Sequence, residues 1–401
     1  MKHLPQLGAI SCAVLVLTAC GGSNNQTTST ASTLQRAPQA SELATTLDNS
    51  TRLSAGQAHT LGLTTDGKIY AWGNNQQGQL GTDNTVSTTV PVAIPNMSGV
   101  RAVSSGSYHS AFLHRDGSVW TWGNNFYGQI GYDNYPGGYT DRPRPVPYLS
   151  GVKAVATGEY HTVALTNRGT VWGWGQLAGS GSRSPVQVPG MSNVKALVAG
   201  LGHNVAVTTN GAVMSWGANG YGQLGTGNTT PNLTPKLVPG LGNIKAVAGG
   251  AAHTLALGTN GLVYAWGNNS FGQLGYSGQG ALTPVRVPNL VNVIAISAGT
   301  YNSAALLANG TVLTWGNNYF GQLGNGTNTA SATPQVVAQV SNAVGISSAN
   351  GYLMILKSDG TVAAAGQNGN GQLGINSYRD ANLPQATRGV GGVGFLNLGR
   401  N

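Results

Sequence analysis

Along most of the chain, short runs rich in strand formers alternate with turn signals, and no useful stretch keeps the apolar spacing of an amphipathic helix. His59 to Leu63 and Lys68 to Trp72 form one such pair of runs, separated by Thr65-Asp66-Gly67. Asp-Gly or Asn-Gly between two runs of this kind favours a tight hairpin, because both central residues tolerate positive φ. Another apolar run recurs ahead of the pair, as in Val100 to Val103 and Val152 to Val155. A Pro-Val segment (Pro185-Val186, Pro284-Val285) supplies an edge strand, where a missing N–H is tolerated. The unit predicted is a small antiparallel sheet of about four strands.

The unit repeats. Trp-Gly recurs at Trp72, Trp122, Trp174, Trp216, Trp266 and Trp315, mostly near every fifty residues, and a seventh copy carries Ala365-Gly366. Most copies keep one order: Gly, two residues, His, an apolar run, Asp/Asn-Gly, a second apolar run closing on Trp-Gly, then Asn-Asn-x-x-Gly-Gln-Leu-Gly. Stretches such as Val119-Trp120-Thr121-Trp122 leave almost no polar side, so both faces of each sheet need a neighbour. Radial stacking provides that, whereas an open row needs polar caps, and none is visible. Residues 51–401 therefore read as an all-β, closed seven-bladed β-propeller. Two segments suit the strand that closes the ring: Val393-Gly394-Phe395-Leu396, another copy of the innermost strand, and Thr51 to Ser54.

Gly-x-x-His-Thr, Asn260 to Gly267 (Asn-Gly-Leu-Val-Tyr-Ala-Trp-Gly) and Asn-x-x-Gly-Gln-Leu-Gly resemble the repeat of the regulator of chromosome condensation family, from about residue 53 to 401. The resemblance implies a seven-bladed propeller. It implies less about activity, since members range from guanine-nucleotide exchange to protein binding. Exchange in that family uses a projecting hairpin wedge, for which this sequence has no clear counterpart.

The first residues read as an address. Leu7 to Leu17 is apolar but too short to span a ~30 Å hydrocarbon core, and suits the central region of a secretory signal. Leu17-Thr18-Ala19-Cys20-Gly21 resembles the lipobox of bacterial lipoproteins, which implies removal of residues 1–19 and lipidation of Cys20. By the same resemblance Gly21 implies the outer membrane, where the host has two. Cys12 and Cys20 are the only cysteines, so this reading leaves no thiol for a disulfide or a cysteine zinc site. Residues 20–50, rich in Ser, Thr, Asn and Gln, form a flexible tether, whose coil dimension is roughly 30 Å.

Composition narrows the chemistry. Only 7% of residues are charged against 40% hydrophobic, which excludes charge-driven disorder. The 62 glycines lack a period of three, which excludes a collagen-like chain. Glu42 and Glu159 are the only glutamates, a poor start for paired-carboxylate catalysis, and no nucleophile elbow precedes a helix. Removing residues 1–19 leaves a net charge of about +8, spread without a basic run, so nucleic acid is disfavoured.

His59, His109, His161, His203 and His253 share one register, but equivalent positions in different blades cannot converge within ~2.3 Å of one ion, so a structural role, bonding backbone inside each blade, is expected rather than a metal. Gly220 to Gly225 and Gly369 to Gly374 match the dinucleotide fingerprint as letters, without the helix it requires. Tyr127, Tyr221, Phe271 and Phe320 precede the Gly-Gln step, where loop packing competes with ligand stacking.

The best binding candidate is the second repeat's loop, with Phe126, Tyr127, Tyr132, Tyr135, Tyr139, Arg142, Arg144 and Tyr148, since Tyr and Arg are enriched at binding hot spots. The third repeat is shortened around Leu177 to Pro185, which predicts a notch beside that loop. The expectation is a lipid-anchored, non-enzymatic binding or scaffold propeller of the cell envelope, without cofactor or metal, recognising a protein or envelope polymer through loops on one face. The alternatives are guanine-nucleotide exchange, carried by the resemblance, and an envelope enzyme.

Overall fold

A computed structural model describes residues 9–10, 52–132, 138–177 and 180–399. Apart from Ala9–Ile10, the signal segment 1–19, Cys20 and the tether 20–50 lie outside the described residues, as does Tyr135. Seven sheets follow one another as blades: 53–93, 100–145, 152–187, 194–237, 244–286, 293–336 and 343–386. Each is a four-stranded antiparallel meander, as the repeat predicted; blade 2, for example, runs Val100–Ser105, His109–His114, Val119–Asn124 and Tyr139–Pro145. Ala9–Ile10 adds a short parallel strand to Val293–Ala298 in blade 6. The Pro-Val segments lie on the outermost strands, Ser180–Gln187 and Ala281–Arg286. Among the described residues the only helix is a 3-10 turn, Val390–Gly392, and none is long and apolar enough to cross a membrane.

Register separates the two ends of the ring. In blade 2, His109 faces Gly123 and Asn124 faces Tyr139 at one end, while Leu113 faces Val119 and Val100 faces His114 at the other. The Gly-x-x-His turns and the Asn-Asn loops therefore share one end, the loop face. The Asp/Asn-Gly hairpins and the links to the next blade share the opposite end, the hairpin face.

The repeated letters join neighbouring blades. The Gln79 carbonyl of blade 1 accepts both the Trp122 indole N–H (2.9 Å) and the Ser110 hydroxyl (2.8 Å) of blade 2. His59 Nε2 bonds the same Ser110 hydroxyl at 2.8 Å. Blades 2 to 3 and 4 to 5 repeat this with Gln129 and Gln223, and blades 5 to 6 with Gln273. Every one of these tryptophans is fully buried, so the indole brings apolar area and a satisfied donor together. The spacing Gly-x-x-His follows from contact: a Cβ on Gly56 would stand 2.7 Å from the His59 ring. The Gly of Trp-Gly is required for another reason, since Gly73 has φ +103° and its Cβ would sit 2.5 Å from the Ala58 carbonyl oxygen.

The histidines are structural, but their partners correct the expectation of backbone bonding within a blade. Each Nε2 bonds a side chain of the following blade: Ser110, Thr162, Asn204, Thr254 or Ser303. The partner is the short polar residue that follows the same register position in the next blade, after His109, His161, His203, His253 or Asn302, because it faces the preceding blade across the joint.

Leu53–Ala55 is the innermost strand of blade 1, and blade 7 is built from residues 343–386, so the ring closes between them without a shared sheet. The joint is made again by the Gln372 carbonyl, which accepts from Trp72 and Thr60 (both 2.9 Å), and by the Tyr352 hydroxyl, which donates to the His59 carbonyl at 2.8 Å. The C-terminal segment does not enter blade 1. It seals the seam, with Leu396 and Leu398 packed beside Leu53, Ala55 and Trp72. The buried Arg52 guanidinium donates to the carbonyls of Leu63, Leu398 and Gly399, and burial lowers its pKa.

Candidate binding cleft on the loop face

The Asn-Asn-x-x-Gly-Gln loops brace themselves and push their variable residues outward. In blade 1, Asn75 Oδ1 accepts the Leu80 N–H (2.9 Å) and Asn75 Nδ2 donates to the Asn84 carbonyl (2.8 Å). Gln79 Nε2 donates to Asn74 Oδ1 (2.7 Å), and Gln79 Oε1 accepts the Gln77 N–H (2.9 Å). The same framework in blade 2, built on Asn124, Asn125 and Gln129, holds Phe126 and Tyr127 at its tip. Phe126 is 67% exposed even so.

Between blades 7, 1, 2 and 3 these loops and the Gly-x-x-His turns enclose a cleft of about 520 Å³. Its aromatic wall is continuous. Tyr108 stacks on Tyr160 (6.3 Å, 16° between planes), Tyr127 leans on Tyr160 at 4.8 Å, and Phe126 meets Tyr127 edge-on at 5.1 Å. Burial pushes the Tyr160 hydroxyl up to about 12, assisted by its hydrogen bond to Glu159. The opposing wall consists of amides, among them Gln57, Gln76, Asn350, Gln367 and Asn370. Among the described residues no Asp, Glu, Lys, Arg or His lines the cleft. Beside it the turns narrow the central channel to a mouth of about 50 Å³, lined by Gly56, Gly106, Gly158, Gly200, Gly250 and Gly299.

The residues singled out in the sequence do not converge. Phe126 and Tyr127 stand in the cleft. Tyr139 is exposed and pairs with Asn124 where the outer strand starts at the loop face. Arg142 is an ion-pair partner of Asp83 (3.2 Å) and Asp141 (3.7 Å), and Arg144 lies in register with Thr121 midway down the blade. The Tyr132 hydroxyl donates to the Pro145 carbonyl, and burial raises its pKa. Tyr148, 97% exposed at φ +58°, lies on the hairpin face.

The notch beside the loop is bridged by a short hairpin, Val171–Leu177 with Ser180–Gln187, whose Arg183 donates to the Phe126 carbonyl at 3.1 Å. Tyr108 and Tyr160 were missed in the sequence. Their signal was a Tyr directly before the register histidine in two consecutive repeats, Gly106-Ser-Tyr-His109 and Gly158-Glu-Tyr-His161.

The other candidates resolve into structure. Burial holds His59, His109, His203 and His253 down at about 3 and His161 at about 4, so all five are neutral. Among the described residues no three His, Cys, Asp or Glu side chains could hold a metal ion. Gly220 to Gly225 and Gly369 to Gly374 are tight turns of the Asn-Asn loops, with no helix after them. Phe271 packs on Tyr301 at 5.2 Å and Phe320 on Tyr319 at 5.0 Å, while Tyr221 stays exposed.

Known proteins share this architecture. The yeast Prp20 in complex with Kap60 superposes over 91% of either chain at TM-score 0.74 and 21% identity. Prp20p from Saccharomyces cerevisiae, a protein that binds Gsp1p and histones, matches over 84% of this chain and 87% of its own at TM-score 0.72 and 22% identity. Human WBSCR16 matches over 80% of this chain and 93% of its own, at TM-score 0.70 and 22% identity.

In sequence the chain is 33% identical to protein pim1 of Schizosaccharomyces pombe over 164 residues, 39% of this chain and 29% of that protein. It is 31% identical to the ultraviolet-B receptor UVR8 of Arabidopsis thaliana over 124 residues, 31% of this chain and 17% of that protein. These stretches span less than a third of either relative's length. The profile of the RCC1-like domain matches residues 8–243 and 183–401, so the repeat, the seven blades and this match agree: the chain belongs to the RCC1-like domain family.

Proposed function

We propose that the chain is a lipid-anchored, non-enzymatic binding propeller of the cell envelope that recognises a protein or envelope polymer through its loop face. The observation that carries the reading is the gathering of Tyr108, Phe126, Tyr127 and Tyr160 with unbonded amides at one end of the ring. Exposed aromatic area of this kind is the material of binding hot spots. Leu17 to Gly21 supports lipidation at Cys20, and Gly21 supports the outer membrane where the host has two. The proposed contact set is Phe126 and Tyr127, with Tyr132, Tyr139, Arg142 and Arg144 on the same loop and strand and Tyr135 between them in sequence; Tyr148, on the hairpin face, lies outside it.

Metabolic labelling with an alkyne fatty acid tests the anchor: the label is expected on the native chain and lost in Cys20→Ala. Crosslinking in intact cells tests the face. Tyr127→Ala is expected to lose partners that Tyr148→Ala retains, and equal capture by both variants removes the loop face from consideration.

Guanine-nucleotide exchange is the second reading, favoured by family membership and by the likeness to Prp20p, which binds Gsp1p. A nucleotide-release assay separates the two, with no acceleration expected. A panel of envelope hydrolase substrates tests the enzyme alternative in the same way, with no turnover expected.

A further inference from the structure

We infer that the loop-face cleft binds a neutral saccharide, with sugar faces stacked on Tyr127, Tyr160 and Phe126 and hydroxyls bonded to Gln57, Gln76, Asn350 and Gln367. This deepens, and rests on, the reading of the loop face as the binding surface. A sugar ring offers an apolar C–H face and a rim of hydroxyls, each both donor and acceptor. The cleft offers the complement: one wall of tyrosine and phenylalanine rings, and one of side-chain amides, each with an acceptor oxygen and two donor hydrogens.

Several of those amides are uncommitted. Asn74, Gln77, Gln79 and Asn124 are used in bracing the loops. The side-chain amides of Gln57, Gln76, Asn350 and Gln367 make no hydrogen bond within the described chain, and Gln57 Oε1 is buried without a partner. A buried acceptor left unmatched is costly, and a ligand hydroxyl would satisfy it.

The lining also discriminates. Among the described residues no side chain lining the cleft is charged, and Arg183 and Glu159 beside it are engaged with the Phe126 carbonyl and the Tyr160 hydroxyl, so the lining favours neither an anion such as phosphate, sulfate or uronate nor a cation. An apolar protein anchor would in turn desolvate the free amides without pairing them.

The test is calorimetric titration of the full chain in detergent with tetrasaccharides of glucose, mannose and N-acetylglucosamine, and with a sulfated tetrasaccharide as the anionic control. Saturable binding of at least one neutral probe is expected, weakened about tenfold in Tyr127→Ala and unchanged in Tyr148→Ala. Affinity is expected to hold steady from about 50 to about 500 mM salt, because no ion pair forms.

Gln76→Ala alters one exposed amide without touching the core, and a loss there keeps the test decisive if Tyr127→Ala misfolds. Binding of the sulfated probe alone, no saturation by any neutral probe, or equal affinity in all variants overturns the inference. If no saccharide binds while Tyr127→Ala still loses its crosslinked partners, the saccharide falls and the binding role stands. Loss of neither signal in Tyr127→Ala removes both.

Discussion

The joint between blades 1 and 2 and the joint between blades 6 and 7 occupy equivalent places, yet they are held in different ways. The first has the Gln79 carbonyl, the Trp122 indole, the Ser110 hydroxyl and the His59 ring in one bonded cluster. The second has Asn302, Leu353 and Ala365 in the places of His, Ser and Trp, and is packed by apolar side chains such as Leu306, Ile346 and Leu353. Asn302 is left there with both side-chain polar atoms buried and unbonded. All three places differ at this joint, whereas the joint between blades 7 and 1 keeps the Trp72 and Thr60 bonds to the Gln372 carbonyl with Tyr352 in the place of His, so the repeat's letters describe a contact between blades more than the inside of one.

Acid gives the largest expected contrast. Each register histidine is neutral in the fold with a pKa near 3 or 4, below the ordinary 6.5, so the unfolded chain binds more protons between those values. Stability is therefore flat above pH 6.5 and falls as pH drops below it, by about 1.4 kcal/mol per pH unit for each histidine. Urea midpoints between pH 7 and pH 4 check this, and His109→Asn, which copies blade 6, should flatten the slope.

Next in size, Trp266→Ala should cost about 3 to 5 kcal/mol in urea unfolding, as a fully buried indole with its N–H bonded. A loss below about 1 kcal/mol would mean that the indole is not core.

Two buried asparagines sharpen the comparison at smaller scale. Asn204→Leu strands His161 Nε2 and should cost about 1 to 3 kcal/mol, whereas Asn302→Leu removes two unbonded polar atoms and should gain about 1 kcal/mol. The same sign for both would break the account. At the bottom of the scale, Tyr148→Ala on the exposed hairpin face should shift stability by less than about 0.5 kcal/mol.

Most of the ring was legible because its signals are local and repeated. Asp66-Gly67 sets a hairpin within a few residues, and the two-sided apolarity of Val119 to Trp122 demands a neighbour on either side. What joins one blade to the next was not legible from a single copy. Nothing near His59 in sequence reveals that its ring meets Ser110, fifty-one positions away.

The closing seam was ambiguous for a similar reason, since Thr51 to Ser54 and Val393 to Leu396 carry the same local pattern. Arg52, reaching carbonyls at Leu63 and Leu398, settles it only in three dimensions. The candidate site was half visible. Density of Tyr and Arg led to residues 126 to 148, but strand direction sends Tyr148 to one end and Phe126 to the other. Tyr108 and Tyr160 join Phe126 and Tyr127 because consecutive turns converge at the channel mouth.

Arg52 has one more consequence. Its bonds to the Leu63 and Leu398 carbonyls place the point where the chain enters the ring on the hairpin face. Residues 52 and 398–399 are thus held to each other on the side remote from Tyr127 and Tyr160, so a load on either end of the described ring is shared by the other.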